Sequence, residues 1–359
     1  MANYISFHPK DHFKYINYSG TGADHALTGV GFQPDFTWCK STSATEWHNL
    51  FDSARGVTKA VYTNDTSAED TTAELLKSFD SDGFTMGNNN NVNGSGKKYR
   101  AYNWKMGTSS GIATNGSTTI TPTAYSFNQT AGQSVLAYTG NGTNPARIAH
   151  GLGAAPSFIM IKDRDGTNPW SVYIKGNGNT ARQEMDNTEG LTTSSGNWAD
   201  TDPDSVNFTV GANTMMNQNA TGFFCFCATN KQGYFRTDSF KGNGDANGTY
   251  VYIGFKPAFI IVKKADTAEW RMYTWENRDA NSDIEGSGLG HRNPVEYFMT
   301  CDQVTAEATS GAGSMDQLSD GFKFRHDNDV ANGDNETYNY MAWAEAPLVS
   351  SNNMPTQAR

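Results

Sequence analysis

Short hydrophobic runs separated by Gly, Asn and Pro cover most of this chain. The stretch "GVGFQPDFTWCKS" (29–41) places a glycine turn before an apolar strand in which Phe36 and Trp38 alternate with smaller neighbours. Two other stretches, "HGLGAAPSFIMIKDR" (150–164) and "YIGFKPAFIIVKKAD" (252–266), have the same shape. The 3.6-residue period of amphipathic helices is nearly absent, so the pattern predicts an all-β chain.

These stretches belong to a longer order of elements that occurs three times. In each copy a lysine follows the turn proline by six positions, and a tryptophan follows that lysine by seven or eight. Each copy ends in an aromatic strand: "KYRAYNWKM", "TGFFCFCAT" and "TYNYMAWAEA". We predict three tandem β-sandwiches, lectin-like or jelly-roll-like, with little helix. The predicted ranges are 1–107 (repeat 1), 108–230 (a linker and repeat 2), 231–346 (repeat 3) and 347–359 (an irregular tail).

The repeated phrase has a simple physical interpretation. Glycine permits a turn with positive φ, and proline belongs at the start of a strand because it lacks a ladder donor. The apolar runs that follow suit strands buried on both faces, and we expect the final lysine to return the chain to water. The residues expected to specify the fold are Gly31, Phe32, Pro34, Lys40, Gly153, Pro156, Lys162, Gly254, Phe255, Pro257 and Lys263.

One segment has helical features. The run "TSAEDTTAELLKSF" (66–79) contains Ala, Glu and Leu, and Thr66 and Glu69 have the spacing of a capping box. We expect a turn or two of helix here, between strands.

Composition and charge narrow the classes of partner. The net charge of -10, without a Lys/Arg cluster, argues against nucleic acid. No apolar run approaches the roughly 18 residues of a membrane span, and the N-terminal residues do not resemble a signal peptide. We therefore expect synthesis in a cytoplasm without membrane insertion. The cysteines Cys39, Cys225, Cys227 and Cys301 are expected to be small buried residues in a reducing compartment.

Motifs for catalysis or cofactor binding are missing from the sequence. The seven histidines form no HExxH motif, and although His8 and His12 lie four apart, Pro9 between them makes a helical metal pair doubtful. The glycine-rich run "EGSGLGHRN" (285–293) is expected to be a loop. We therefore predict no catalytic residues and no cofactor-binding residues.

Carboxylates could still serve a polysaccharide depolymerase, which needs two of them at a set separation in a groove. Asp35, Glu46, Asp52 and Glu269 are the candidates. However, the position of Asp35 holds Ser157 and Ala258 in the other copies, so we expect no enzyme.

Two acidic turns are weak calcium candidates because Ca²⁺ takes six to eight oxygen ligands. They are "DRDGTN" (163–168) and "DNDVANGDNE" (327–336), and neither has the distal glutamate of an EF-hand. Solvated turns are the preferred interpretation. The candidate ligands are Asp163, Asp165, Asp327, Asp329 and Asp334.

The repeated tryptophans, Trp47, Trp170 and Trp270, have two interpretations. Each alternates with later apolar residues, which favours a place in the core. Stacking on a sugar is the alternative.

The motifs "GVGFQPDFTWCKS", "DSARGVTKAVYTN", "SDGFTMGNNNNVNGSGKKYRAYNWKMG" and "YMAWAEAPLVSSN" resemble repeated β-domain virion structural proteins of marine tailed bacteriophages, of cyanophage and pelagiphage type. These proteins are often described as tail-fibre-like. The resemblance implies a particle component exposed on the virion surface. Within the motifs, Arg100 stands where a small or apolar residue is expected.

Two functions remain open from the sequence, with a polysaccharide depolymerase as a weaker third. One is a non-enzymatic tail fibre or tail-associated protein that contacts host-surface polysaccharide. The other is a capsid decoration protein that binds and stabilises the particle. Either would contact other virion proteins, and homo-oligomers are expected because such parts sit on symmetry axes. We expect function in the loops where the three copies differ.

Overall fold

The computed structural model describes residues 4–274, 293–309 and 313–349. Strands make up 42% of it and helices 6%, which confirms the all-β prediction. The strands form several antiparallel sheets, stacked as in a β-sandwich.

Repeat 1 has a five-stranded sheet in the order β1-β8-β3-β4-β5 and a three-stranded sheet in the order β2-β7-β6. Its elements are β1 (Phe13–Ser19), β2 (His25–Leu27), β3 (Phe36–Ser41), β4 (Asn49–Asp52), β5 (Val61–Tyr62), β6 (Leu76–Asp80), β7 (Gly83–Met86), α1 (Asn90–Asn93) and β8 (Lys98–Trp104). A short 3₁₀ turn, Pro9–Asp11, precedes β1.

Repeat 2 has a five-stranded sheet in the order β13-β12-β17-β10-β9 and two pairs, β11-β16 and β14-β15. Its elements are β9 (Ala124–Asn128), β10 (Gln133–Thr139), β11 (Ala146–Ala149), β12 (Phe158–Asp163), β13 (Ser171–Ile174), a 3₁₀ turn (Lys175–Asn177), β14 (Ala181–Arg182), β15 (Thr192–Thr193), α2 (Ser195–Trp198), β16 (Asn207–Val210), α3 (Thr214–Asn217) and β17 (Gly222–Ala228).

Repeat 3 has a six-stranded sheet in the order β18-β26-β20-β21-β22-β23 and a three-stranded sheet in the order β19-β25-β24. Its elements are β18 (Phe235–Lys241), β19 (Tyr250–Tyr252), β20 (Phe255–Lys264), β21 (Arg271–Thr274), β22 (Tyr297–Thr300), β23 (Ala308–Thr309), β24 (Met315–Gln317), β25 (Gly321–Phe324) and β26 (Thr337–Pro347).

The strand that follows the turn proline has the same neighbours in every repeat. This strand (β3, β12 or β20) lies between the final aromatic strand and the next strand along the chain. The register therefore aligns the three copies residue by residue. The matched triplets, each given as final strand, central strand and next strand, are Tyr102–Trp38–Leu50, Phe226–Met160–Val172 and Met341–Ile261–Met272.

Each main sheet buries both of its faces. One face packs on the smaller sheet of the same repeat and forms a private core. The other face contributes to one shared core that contains residues of all three repeats, among them Phe36, Phe158 and Phe259. The ring of Phe259 stacks on Tyr102 of repeat 1, with centroids 4.2 Å apart. This arrangement explains the continuous apolar runs, because β3 and β12 are buried along their whole length.

The turn phrase adopts the predicted geometry. Gly31, Gly153 and Gly254 have φ angles of 89°, 69° and 80°, in the region that glycine favours. Pro34 and Pro156 lie two residues before their strands. Pro257 instead lies inside β20, where the ladder shifts register, which is a site that tolerates a missing donor.

The final lysines do not return the chain to water, so that prediction was wrong. Lys40, Lys162 and Lys263 are each fully buried. The reason is tertiary, because each strand ends where its repeat meets another repeat.

The predicted helix in residues 66–79 is also wrong. The segment is irregular, with a turn at residues 73–74, and then enters β6. Leu75 and Leu76 are fully buried in the private core of repeat 1, and Glu69 reaches two arginines. These contacts outweigh a helical propensity that is a weak prior.

Two predicted segments fall largely outside the described residues. They are residues 285–292 of the glycine-rich run and 350–359 of the tail. The first residue of the predicted tail, Pro347, ends β26 rather than being irregular. Among the described residues, no helix has the length and apolar character needed to cross a membrane.

Candidate functional site

The three repeats contact one another in cyclic order through equivalent backbone bonds. The bonded residues occupy corresponding positions in the three repeats. We call each contact a seam and name it by the two repeats that it joins. The amide of Glu69 donates to the Arg164 carbonyl at 2.8 Å across seam 1–2. Leu191 donates to Ala265 at 2.8 Å across seam 2–3, and Glu307 donates to Thr42 at 3.0 Å across seam 3–1. The repeats therefore form a closed three-membered ring rather than a linear string.

Indole groups repeat the same cyclic order. Trp170 Nε1 donates to the Tyr62 carbonyl across seam 1–2 at 2.7 Å, and Trp270 Nε1 donates to the Glu184 carbonyl across seam 2–3 at 2.8 Å. Both tryptophans are fully buried. This confirms the core interpretation for these two residues.

In repeat 1 the equivalent position is His48, not Trp47. The middle of the central strand pairs with Leu50, Val172 or Met272 in the three repeats. His48, Trp170 and Trp270 each lie two positions before that paired residue. Burial and the nearby Lys40 hold the pKa of His48 well below its ordinary value, and the backbone of Thr300 and Gln303 in repeat 3 acts in the opposite direction. Trp47 lies half-buried against the private core of repeat 1.

The three buried lysines lie at these seams. Each ammonium donates at 2.7 Å to a backbone carbonyl: Lys40 to Ser41, Lys162 to Asp163 and Lys263 to Ala268. Lys263 also reaches the carbonyl of Thr188 in repeat 2. Burial lowers the pKa of each lysine to about 8. Their shared role is to satisfy carbonyls where the strands end, at a cost in desolvation.

The burial of these lysines predicts that the free energy of unfolding depends on pH. Between a folded pKa of about 8 and the ordinary 10.5, the unfolded chain holds the Lys162 proton more firmly than the folded chain. Lys162 therefore makes the free energy of unfolding rise with pH by up to about 1.4 kcal/mol per unit in that window. Lys162→Met should remove that slope, as measured by guanidinium unfolding between about pH 7 and 10.

The comparison is made as wild type minus variant because Lys40 and Lys263, whose pKa values are also lowered to about 8, add slopes of their own. The exposed Lys241→Met serves as the matched control and should keep the wild-type slope. Equal slopes for Lys162→Met and wild type would show that Lys162 titrates alike in the folded and unfolded chains.

One position in the final strand of each repeat makes a different kind of contact at each seam. It is the residue opposite the buried lysine: Arg100, Phe224 or Asn339. The Arg55 guanidinium lies 4.7 Å from the centre of the Phe224 ring in seam 1–2. Asn339 donates to Gln183 at 3.1 Å in seam 2–3.

In seam 3–1, Arg100 Nη1 contacts Glu307 Oε1 at 2.8 Å with both side chains almost fully buried. Burial lowers the pKa of Arg100, but the facing carboxylate more than offsets this and leaves it raised. The unexpected arginine is therefore half of a buried ion pair. A charged residue at this strand position was the signal that the sequence offered. The sequence could not identify the partner, because Glu307 lies 207 positions away.

The depolymerase candidates all take part in hydrogen bonds or ion pairs within the fold. Asp35 accepts bonds from Ser53, Ser126 and the amide of Met106, which ties repeat 1 to repeat 2. The other candidate carboxylates each pair with a basic side chain: Asp52 with Arg55, Glu46 with Lys97 and Glu269 with Arg271. All four carboxylates thus have structural partners.

The calcium candidates also satisfy structural bonds. Asp163 accepts from the amides of Asp165 and Gly166 and from the Asn168 side chain. Asp165 accepts from the amide of Gly222, and Asp329 pairs with Lys264. Asp327 and Asp334 lie in the second turn, 327–336. Within the described ranges, no group of three or more His, Cys, Asp or Glu side chains is arranged to hold a metal.

The remaining candidates from the sequence have structural surroundings. His8 caps the 3₁₀ turn by accepting from the Lys10 amide, whereas His12 packs edge-on against Phe7 and Tyr234. All four cysteines are buried and free, as expected of small core residues. Cys225 and Cys227 lie in the private core of repeat 2 with their sulfurs 3.5 Å apart.

One protein-family model matches nearly the whole ring of repeats. The model for a domain of unknown function, DUF7483, matches residues 8–347. The chain belongs to the DUF7483 family. The DUF7483 match takes in all three repeats together, which agrees with their shared core and closed seams. A comparison with curated proteins found no match.

Proposed function

We propose that this DUF7483 chain is a non-enzymatic structural protein on a phage virion surface. Its role would be that of a tail fibre or tail-associated protein that presents surfaces to host polysaccharide. The main support for the proposal is where the positions shared by the three repeats lie and where the positions that differ lie. Repeated positions fill the shared core and the seams, whereas equivalent outward positions differ, as at Ala26, Arg147 and Tyr250.

Such a division suits a rigid frame that displays different outer surfaces. The buried ring would hold each surface in a fixed orientation, which reduces the entropy lost on binding. The sequence resemblance to virion proteins supports the same assignment.

A decoration protein of the capsid is the second candidate, and the closed ring favours it specifically. Three equivalent repeats in cyclic order match the threefold and quasi-threefold positions of an icosahedral shell. A monomer could then bind three similar shell proteins at once.

Imaging of purified particles of the encoding phage, labelled with antibody to this protein, tests both roles. Label at the tail tip, with particle adsorption blocked by the antibody, is expected for the receptor-binding role. Label over the whole capsid would favour decoration instead. Absence of the chain from purified particles by mass spectrometry would overturn both.

A further inference from the structure

Two exposed tyrosines stand side by side on the outer face of repeat 3. Tyr250 is 44% exposed and Tyr252 is 52% exposed. Val251 between them points into the private core, so both rings lie on the opposite face of β19. Among the described residues, the large hydrophobic side chains that are exposed comprise these two and Val57.

The pair is particular to repeat 3 and is not needed by the scaffold. In each repeat, one buried residue of the small sheet pairs with a phenylalanine, which marks equivalent positions. The pairs are Leu27 with Phe84, Ile148 with Phe208 and Val251 with Phe322. The residue before each is Ala26, Arg147 or Tyr250. Both other repeats therefore build this small sheet without an aromatic residue at the position of Tyr250.

Neighbouring groups surround both rings. Burial, together with the nearby Asp320 carboxylate, raises the pKa of the Tyr250 hydroxyl. The ring edge lies over Gly321, where an added Cβ would be 3.2 Å from Tyr250 Cε2 and 2.1 Å from the Val251 carbonyl oxygen. On the other side, Tyr4 donates to the Gly254 carbonyl, and a Cβ added at Gly254 would lie 2.9 Å from the Tyr4 hydroxyl and 3.5 Å from the Tyr252 hydroxyl. We call Tyr4, Tyr250, Tyr252 and Asp320 the tyrosine patch.

We infer that the tyrosine patch binds a neutral saccharide unit of a polysaccharide. This inference rests on the proposed function and names its contact site. A pyranose ring presents C–H groups on one face, which pack on an aromatic ring, and hydroxyls at its edge. Here the phenol groups and Asp320 supply polar partners beside exposed rings, which is the combination that orients a small ligand.

The charge of the surroundings selects a neutral sugar. The chain has a net charge of -10, and Asp320 belongs to the patch itself. Lys323 lies in register with Tyr250, so one positive charge accompanies that one carboxylate on this sheet. The patch therefore has no excess of positive charge that would attract an anionic glycan.

The test is calorimetric titration of the full chain with four probes. Laminarin, cellohexaose and a neutral galactan represent neutral glycans, and alginate represents an anionic one. The variants are Y250A/Y252A and, as a matched control, Arg147→Ala at the equivalent position of repeat 2. Melting temperatures are measured alongside, and exposed rings should be removable without unfolding.

The expected result is binding of at least one neutral glycan, weakened by about tenfold or more in Y250A/Y252A, by analogy with base stacking on aromatic side chains, and unchanged in the control. Equal binding by wild type and Y250A/Y252A would overturn the site. Binding of alginate alone, or of no probe, would overturn the neutral-sugar assignment. A wild-type dimer that the double variant abolishes would identify a second copy as the occupant and also overturn it.

These outcomes are separate from those of the proposed function. Glycan binding through the patch by a chain that is absent from virions would leave this inference standing and remove the virion role. Tail location without glycan binding would do the reverse.

Discussion

Replacing Phe259 by alanine is expected to lower the free energy of unfolding by about 3–5 kcal/mol. The Phe259 ring is fully buried in the shared core and contacts aromatic rings of two repeats. It stacks on Tyr102 and Trp343 and meets Trp38 edge-on. Removing it leaves a cavity lined by large, rigid rings, which have little freedom to collapse into the space.

The more informative result is where stability is lost. If the ring folds as one unit, Phe259→Ala should lower a single unfolding transition without splitting it. Hydrogen exchange should then quicken in β17 of repeat 2 as much as in β26 of repeat 3. Calorimetry and exchange mass spectrometry measure the two effects.

Phe240→Ala provides the control within the same repeat. Phe240 is only half-buried and packs at the edge of the private core of repeat 3. We expect a smaller loss there, near 1 kcal/mol. Two separate transitions in Phe259→Ala, with protection lost in repeat 3 alone, would contradict the single cooperative ring.

Glu307→Ala is expected to cost about 3–5 kcal/mol because it leaves the Arg100 guanidinium buried without its carboxylate. Arg100 keeps a bond to Asn17, which does not neutralise the charge. Seam 3–1 closes the ring, so the loss should appear in global unfolding by denaturant.

The double variant Arg100→Met/Glu307→Leu separates charge from packing. Replacing a buried ion pair by apolar groups is often neutral or stabilising, and the equivalent position in repeat 2 is already Phe224. We expect the double variant to recover most of the stability lost in Glu307→Ala. A double variant as unstable as the single one would mean that the cost came from shape rather than from the charge left without its carboxylate.

Local chemistry was readable from the sequence. Gly31, Gly153 and Gly254 demand turns that few other residues adopt, and the apolar runs after them demand burial on both faces. Repetition of these features three times made the all-β class and the central strand of each sheet predictable. These properties depend on residues close together in the chain, where backbone sterics and side-chain alternation act directly.

Tertiary structure decided what the second face of each sheet meets. The apolar run of β12 is equally compatible with a separate cover and with a shared core, and the sequence does not distinguish them. Lys162 looked like an exit to water because a lysine usually remains solvated. Its actual partners are the carbonyls of Asp163, at the end of β12, and of Gly166, in the turn that follows, and the side chain is fully buried there.

The same limit applies to the residues that close the ring. Arg100 and Glu307 are far apart in the sequence, and Trp170 finds its acceptor on Tyr62 in a different repeat. Such pairs follow from how the three sheets pack, which depends on the sum of many weak contacts. The sequence by itself therefore determined the repeated sandwich, whereas the closed ring and the outward place of Tyr250 and Tyr252 became clear only from the packed chain.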